Sequence, residues 1–220
     1  MKILALDTSN RVSSVAIIDE EKVIAEYLLD VREGHSRKLL YLVNQILKDS
    51  ELTIKKIDGF AVAVGPGSFT ALRVGIATAK GLAIGAKKPL CGIPTLDVLA
   101  ANVYTTGLIC PILDAKARWV YGAVYQYHQS ELRKVIAEFL LPLKELFKKI
   151  RTPTVFLGNA VLIHQGLIEK ELGKDAFFAP QEFSLVRAAN VAKLALRKLR
   201  AGEVPELSGI KPIYLERKRA

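Results

Sequence analysis

The chain has 220 residues, half of them hydrophobic and a quarter charged, with a net charge of +10. That composition is that of a soluble globular protein, and that length buries a core as one domain or two small lobes. Excluded are a membrane span, since no apolar run approaches about 20 residues, and a secretory signal, since the start turns acidic at Asp7. Cys91 and Cys110 have no metal-type spacing, and two cysteines in such a chain point to buried thiols in a reducing, cytoplasmic setting.

The hydrophobic pattern predicts a strand over residues 3–6, then strands over 13–18 and 23–29 joined as a hairpin or meander through the acidic turn 19–22. A helix follows over 36–49, a strand over 59–64, a helix over 70–86 and a short strand over 90–93, after which Thr95 is positioned to cap another helix. The second half repeats the order: strands over 108–113, 119–127 and 133–140, a helix over 143–150, a strand over 154–157, a helix over 161–172, a strand at 177–178 and a helix over 186–201. Two successive βββαβαβα halves predict a duplicated α/β unit with mixed sheets, divided as lobes 1–104 and 105–220.

Three features carry functional information. The turn Gly65-Pro66-Gly67-Ser68-Phe69-Thr70 leads from an apolar strand into a helix that Ser68 or Thr70 can cap. Such a corner either binds an anion on its free amides or only turns the chain. The residues that would join an anion or nucleotide there are Asp7, Thr8, Ser9, Gly65, Gly67, Ser68 and Thr70. Asp7-Thr8-Ser9 is read equally as a turn bonded to its own backbone. Asp114 and the turn Gly158-Asn159-Ala160 stand at matching points of the second half, so these turns are expected to face one another between the lobes.

The second feature is a pair of helices. In the first, Leu39, Leu40, Leu42, Val43, Ile46 and Leu47 span an arc of about 160°, wider than the roughly 100° one core requires. In the second, Ala71, Gly75, Ala79 and Ala83 form a ridge of small side chains. Either a core sheet or a partner helix suits these patterns. Arg73 lies in a first helical turn, where the macrodipole disfavours a cation, so it either answers an anion or a partner carboxylate or simply stretches into solvent at a small cost. Leu39, Val43, Ile46, Ala71, Arg73, Gly75 and Ala79 are therefore the candidate partner-binding residues.

The third feature is charge. Residues 187–220 carry nine Lys/Arg against three Glu, a basic end able to touch RNA or an acidic partner, or simply to be solvated. His35, His128 and His164 are scattered with no His-x-x-x-His pair, so neither a metal site nor a catalytic residue is assigned.

The paired Asp turns resemble the actin-like (ribonuclease H-like) ATPase fold of sugar kinases and actin, although Thr8-Ser9-Asn10 and Ala115-Lys116-Ala117 lack the glycines usual in its phosphate turns. Across nearly the whole chain the sequence resembles the TsaB (YeaZ) family. The match rests on Ile3-Leu4-Ala5-Leu6-Asp7-Thr8-Ser9, Glu33-Gly34-His35-Ser36, Gly65-Pro66-Gly67-Ser68-Phe69-Thr70 with Arg73-Val74-Gly75, and Asp114-Ala115-Lys116-Ala117-Arg118. The family often ends in Pro-x-Tyr-Leu-Arg, whereas here Pro212-Ile213-Tyr214-Leu215 is followed by Glu216 and then Arg217. The resemblance implies a non-catalytic partner subunit for threonylcarbamoyl modification of adenosine 37 in tRNA. It would pair with a TsaD-like transferase through the two helices above, work with a TsaE-like ATPase and a TsaC-like synthase, and self-associate when alone. No intrinsic cofactor is implied beyond a nucleotide at the partner interface. The competing reading is an actin-fold enzyme that binds ATP and transfers phosphate or carbamoyl.

Overall fold

The computed structural model of the chain describes residues 1–30, 35–150, 152–203 and 205–216. Glu33, Gly34 and Arg217, together with the side chains of His35 and Ser36, lie outside the described residues.

The first half runs β1 (Ile3–Asp7), β2 (Val12–Ile18), β3 (Val23–Asp30), α1 (His35–Asp49), β4 (Gly59–Ala63), α2 (Phe69–Ala86), β5 (Leu90–Ile93) and α3 (Thr95–Ala100). The second runs β6 (Leu108–Asp114), β7 (Trp119–His128), β8 (Glu131–Pro142), α4 (Leu143–Phe147), β9 (Thr154–Leu157), α5 (Asn159–Leu172), β10 (Ala176–Phe178) and α6 (Ala188–Arg200). Each half builds a five-stranded mixed sheet, ordered β3-β2-β1-β4-β5 and β8-β7-β6-β9-β10. In both, an antiparallel meander continues into parallel strands. The predicted duplication is thus the observed topology.

The compact units do not follow the halves. One comprises Met1–Val98 with Val186–Ile213, the other Leu99–Leu185 with Tyr214–Ala220. This corrects the expected division into 1–104 and 105–220, because α6 belongs to the first sheet. The reason is side-chain alternation along the strands. Leu4 and Leu6 of β1, Val15 and Ile17 of β2, and Phe60 and Val62 of β4 share a cluster with Leu39, Leu42, Val43 and Ile46 of α1 and Ile76, Ala79 and Ala83 of α2. The intervening positions point the other way: Ile3 Cδ1 and Leu199 Cδ1 of α6 both border Gly59. The first unit is therefore three layers, with α1 and α2 on one face of the sheet and α6 on the other.

Two kinds of contact hold α6 there. Its stripe of Ala188, Ala189, Val191, Ala192, Ala195, Leu196 and Leu199 is buried, and each large member contributes about 1.5–3 kcal/mol. Its N-terminus is capped from afar, since Arg187 makes no side-chain cap. Ser14 Oγ accepts from the Ala188 amide at 2.9 Å and donates to the Val186 carbonyl at 2.9 Å, while Glu26 accepts from the Ala189 amide at 3.0 Å. Exposed pairs such as Arg200–Glu20 add at most about 1 kcal/mol, so the apolar stripe decides which sheet α6 covers.

In the second unit, Cys110 and Ile112 of β6 and Phe156 of β9 pack with Leu143, Leu146 and Phe147 of α4 and Ala160, Val161 and Ile168 of α5. Burial pushes the Cys110 thiol far above its ordinary range, as the sequence reading of an inert thiol requires.

α2 is the one helix among the described residues long and apolar enough to cross a membrane, at 18 residues and a mean hydropathy of 1.2. Only one side of it is buried in the unit. The remaining apolarity faces outward, and that surplus sets up the site.

Candidate functional site

The Gly65 turn is locked by its own chain. The peptide between Gly65 and Pro66 is cis, and Gly65 sits at φ 109°, a value that favours glycine. The Gly65 amide donates to Thr95 Oγ1 at 3.1 Å, and the Thr95 amide donates to the Gly65 carbonyl at 2.8 Å. Thr95 therefore serves the turn with its hydroxyl, where a helix cap was expected. On the far side, the Ile213 amide donates to the Val64 carbonyl at 2.7 Å.

Asp7, Thr8 and Ser9 are brought against this turn and are fully buried. The Ser68 amide donates to the Ser9 carbonyl at 2.7 Å, and the Ser9 amide to Asp7 Oδ1 at 3.0 Å. Thr8 Oγ1 donates to the Ala71 carbonyl at 2.6 Å. A Cβ on Gly67 would overlap the Ser9 carbonyl oxygen, and one on Gly75 would overlap Thr8 Oγ1. The two glycines thus allow the end of β1 to lie directly on α2. Ser68 makes no side-chain cap, against expectation, and the Ser68 and Thr70 side chains are exposed. Two amides that an anion would need, those of Ser9 and Ser68, are engaged internally. The turn fits a structural joint better than a phosphate cradle.

One group in it remains unsatisfied. Asp7 Oδ2 is buried without a hydrogen-bond partner. Desolvation raises the Asp7 carboxyl to about 7, opposed by hydrogen bonds from Ser9 and Thr8. In the second unit the corresponding Asp114 is better served. Its amide donates to Asn159 Oδ1 at 2.9 Å, and its own Oδ1 accepts from the Lys116 amide at 3.0 Å.

Six of the seven predicted partner residues are not on the surface. Leu39, Ile46 and Ala79 have no exposed area, Val43 and Ala71 have 4% each, and Gly75 is buried beneath Thr8. These side chains are corrected to the core of the first unit: the ridge of small residues lets α2 approach β1 and β4. Arg73 is exposed, and its guanidinium lies 3.7 Å over the Phe69 ring. That cation–π contact answers the cation in the first turn, and sequence reasoning had not considered it.

The same two helices nevertheless present an apolar face. Leu40 is 53% exposed, Tyr41 63%, Phe69 53% and Ile84 62%. Beside Phe69 and Ile84 on the exposed side of α2 runs a second row of small residues, Ala77, Gly81 and Gly85, all exposed, and a Cβ on either glycine would meet nothing within 4 Å. Of this face the sequence singled out only Leu40, within the surplus arc. The four-residue spacing of 77, 81 and 85 was the signal for the rest. Among the described residues no three His, Cys, Asp or Glu side chains converge as metal ligands.

Comparison with known proteins places this arrangement. Residues 29–220 match the family model described as TsaD, tRNA N6-adenosine threonylcarbamoyltransferase. The chain is 34% identical to the tRNA threonylcarbamoyladenosine biosynthesis protein TsaB of Bacillus subtilis, over 98% of this chain and 94% of that one. It is 29% identical to the TsaB protein of Escherichia coli, over 98% and 94%. The solved structure of YeaZ from Pseudomonas aeruginosa superposes with a TM-score of 0.82 at 25% identity, over 97% of this chain and 99% of that chain. The duplicated sheets are accordingly those of the actin-like, ribonuclease H-like fold, and the chain belongs to the TsaB family of tRNA threonylcarbamoyladenosine biosynthesis proteins.

Proposed function

We propose that the chain is a non-catalytic subunit that pairs with a TsaD-like transferase and supports threonylcarbamoyl transfer to adenosine 37 of tRNA. The observation that carries the reading is the exposed apolar surface of α1 and α2: Leu40 and Tyr41 on α1, and Phe69 and Ile84 beside the small-residue row Ala77-Gly81-Gly85 on α2. Large apolar anchors beside a surface that a second backbone can approach closely are what a helix-on-helix interface uses. The family resemblance ties the transferase's metal site to a His-x-x-x-His motif, and this chain's three histidines form no such pair. The partner brings the chemistry and this chain brings the surface, in the compartment where tRNA is modified. The same face lets two copies associate when the transferase is absent, and a TsaE-like ATPase and a TsaC-like synthase complete the pathway.

The test is reconstitution. The purified chain alone is expected to hydrolyse no ATP and transfer no carbamoyl group, yet to restore modification when mixed with the transferase. The double variant Tyr41→Glu, Ile84→Glu should lose co-elution with the transferase while keeping its melting temperature. Co-elution unchanged in that variant sinks the interface. Turnover of ATP by the chain alone sinks the non-catalytic reading and favours the actin-fold enzyme.

A further inference from the structure

The face of α6 turned away from its sheet is used by nothing described so far. α6 carries Lys193, Arg197, Lys198 and Arg200 and no carboxylate. Lys193, Arg197 and Arg200 recur at i, i+4 and i+7 and are exposed, so they form one solvent-facing stripe spanning about 10 Å. Arg200 is paired with Glu20. Among the described residues, Lys193 and Arg197 have no carboxylate within ion-pair distance.

Four more cations gather at the end of this stripe. Lys198 and Lys211 flank a cavity of about 620 Å³ that also borders Cys91, Glu203 and Ile213. Leu199 Cδ1 and Pro89 Cγ lie 3.1 and 3.6 Å from where a Gly59 Cβ would stand, which sets the last turn of α6 near Pro89, the residue that follows Lys87 and Lys88 in the chain. The nearby carboxylates are Glu20, already paired with Arg200, Glu203 in the cavity, and Asp58, which already accepts from the Lys2 amide at 2.8 Å.

We propose that this basic face, Lys193 and Arg197 with Lys87, Lys88, Lys198 and Lys211 at its end, binds the phosphate backbone of RNA. The RNA is tRNA, which rests on the function proposed above. Other partners fit less well. A protein interface is anchored by exposed aromatic or large apolar side chains, and the outward face of α6 has none. A membrane-surface helix inserts its apolar side among lipids, and that side of α6 is covered by the sheet. A row of cations without apolar anchors matches a ligand that is itself a row of charges, and it reads phosphate rather than base sequence.

The experiment is fluorescence anisotropy of labelled tRNA with the full chain between about 50 and 200 mM salt. Neutralising about four phosphates predicts a log–log salt slope of about −3 to −4. The double reversal Lys193→Glu, Arg197→Glu should weaken binding at least tenfold and flatten the slope by about 2, while Lys193→Arg, Arg197→Lys binds as the wild type does. A slope flatter than about −1, an unchanged affinity in the double reversal, or binding to anionic phospholipid vesicles without binding to tRNA overturns the proposal. If the reversed variant still pairs with the transferase and still binds tRNA normally, only this inference fails. If the wild-type chain neither pairs nor restores modification, it is the proposed function that fails.

Discussion

Helix α2 carries two rows of small residues at four-residue spacing, and the two rows do opposite jobs. Ala71, Gly75, Ala79 and Ala83 face inward and let the helix lie on β1 close enough for Thr8 to bond the Ala71 carbonyl. Ala77, Gly81 and Gly85 face outward into open space, bordered by Phe69 and Ile84. Small residues at this interval announce that something approaches the helix backbone closely. They do not say whether it belongs to the same chain.

The contrast can be broken most forcefully at Gly75. Gly75→Val puts carbon where Thr8 Oγ1 stands, and the overpacking together with a broken buried hydrogen bond should cost about 4 kcal/mol or more. Denaturant unfolding measures it, and a midpoint close to wild type would show that the inner row is not a tight contact.

Asp7, beside the inner row, gives the next largest effect. Its carboxyl is raised from 3.8 to about 7 by burial, so between those values the folded state holds a proton that the unfolded state has released. Stability is therefore present at low pH and declines as pH rises from about 4 to about 7, by up to about 4 kcal/mol in total. Asp7→Asn should remove that decline, so that the variant overtakes the wild type near pH 8. Parallel melting curves across this window contradict the assignment.

On the outer row the expected sign reverses. Gly81→Leu replaces an exposed helical glycine with a good helix former and should raise stability by up to about 1 kcal/mol. The same change roughens the flat row and should weaken pairing with the transferase at least tenfold, about 1.4 kcal/mol. Calorimetry of unfolding and of pairing reads the two effects separately, and the comparison fails if both move in the same direction. The smallest effect is at Arg73, where Arg73→Ala removes the stacking on Phe69 and should cost about 0.5–1 kcal/mol.

Much of the fold was legible because strand alternation and helical periodicity are strong local signals. β1, β4 and both βββαβαβα halves read directly from runs such as Phe60-Ala61-Val62-Ala63. The direction of α2 was not legible, because Ala and Gly populate both of its sides and hydropathy cannot rank one row of methyl groups above the other. The width of the α1 arc correctly signalled a surplus. The surplus is Leu40, helped by Tyr41, whereas Leu39, Val43 and Ile46 are core. The lobe of α6 was misplaced for a different reason: the amphipathic stripe of a helix shows that it covers a sheet, and its position in the sequence suggested the wrong one. The residues of β1, β2 and β4 that its stripe packs on, and the Ser14 and Glu26 groups that cap it there, lie more than 120 residues earlier in the chain. The engagement of the Ser9 and Ser68 amides was likewise beyond a local reading, since it depends on two turns about 60 residues apart meeting.

The placement of α6 has a consequence for the order in which the molecule can be assembled. Residues 1–98 contain every strand of the first sheet, yet the face bearing Ile3, Ser14 and Gly59 has no cover until residues 186–213 exist. A ribosome making this chain from its N-terminus must deliver the whole second sheet while one side of the first is still wet. The usual rule that domains fold in order of synthesis is therefore suspended here: the half that starts first is sealed last.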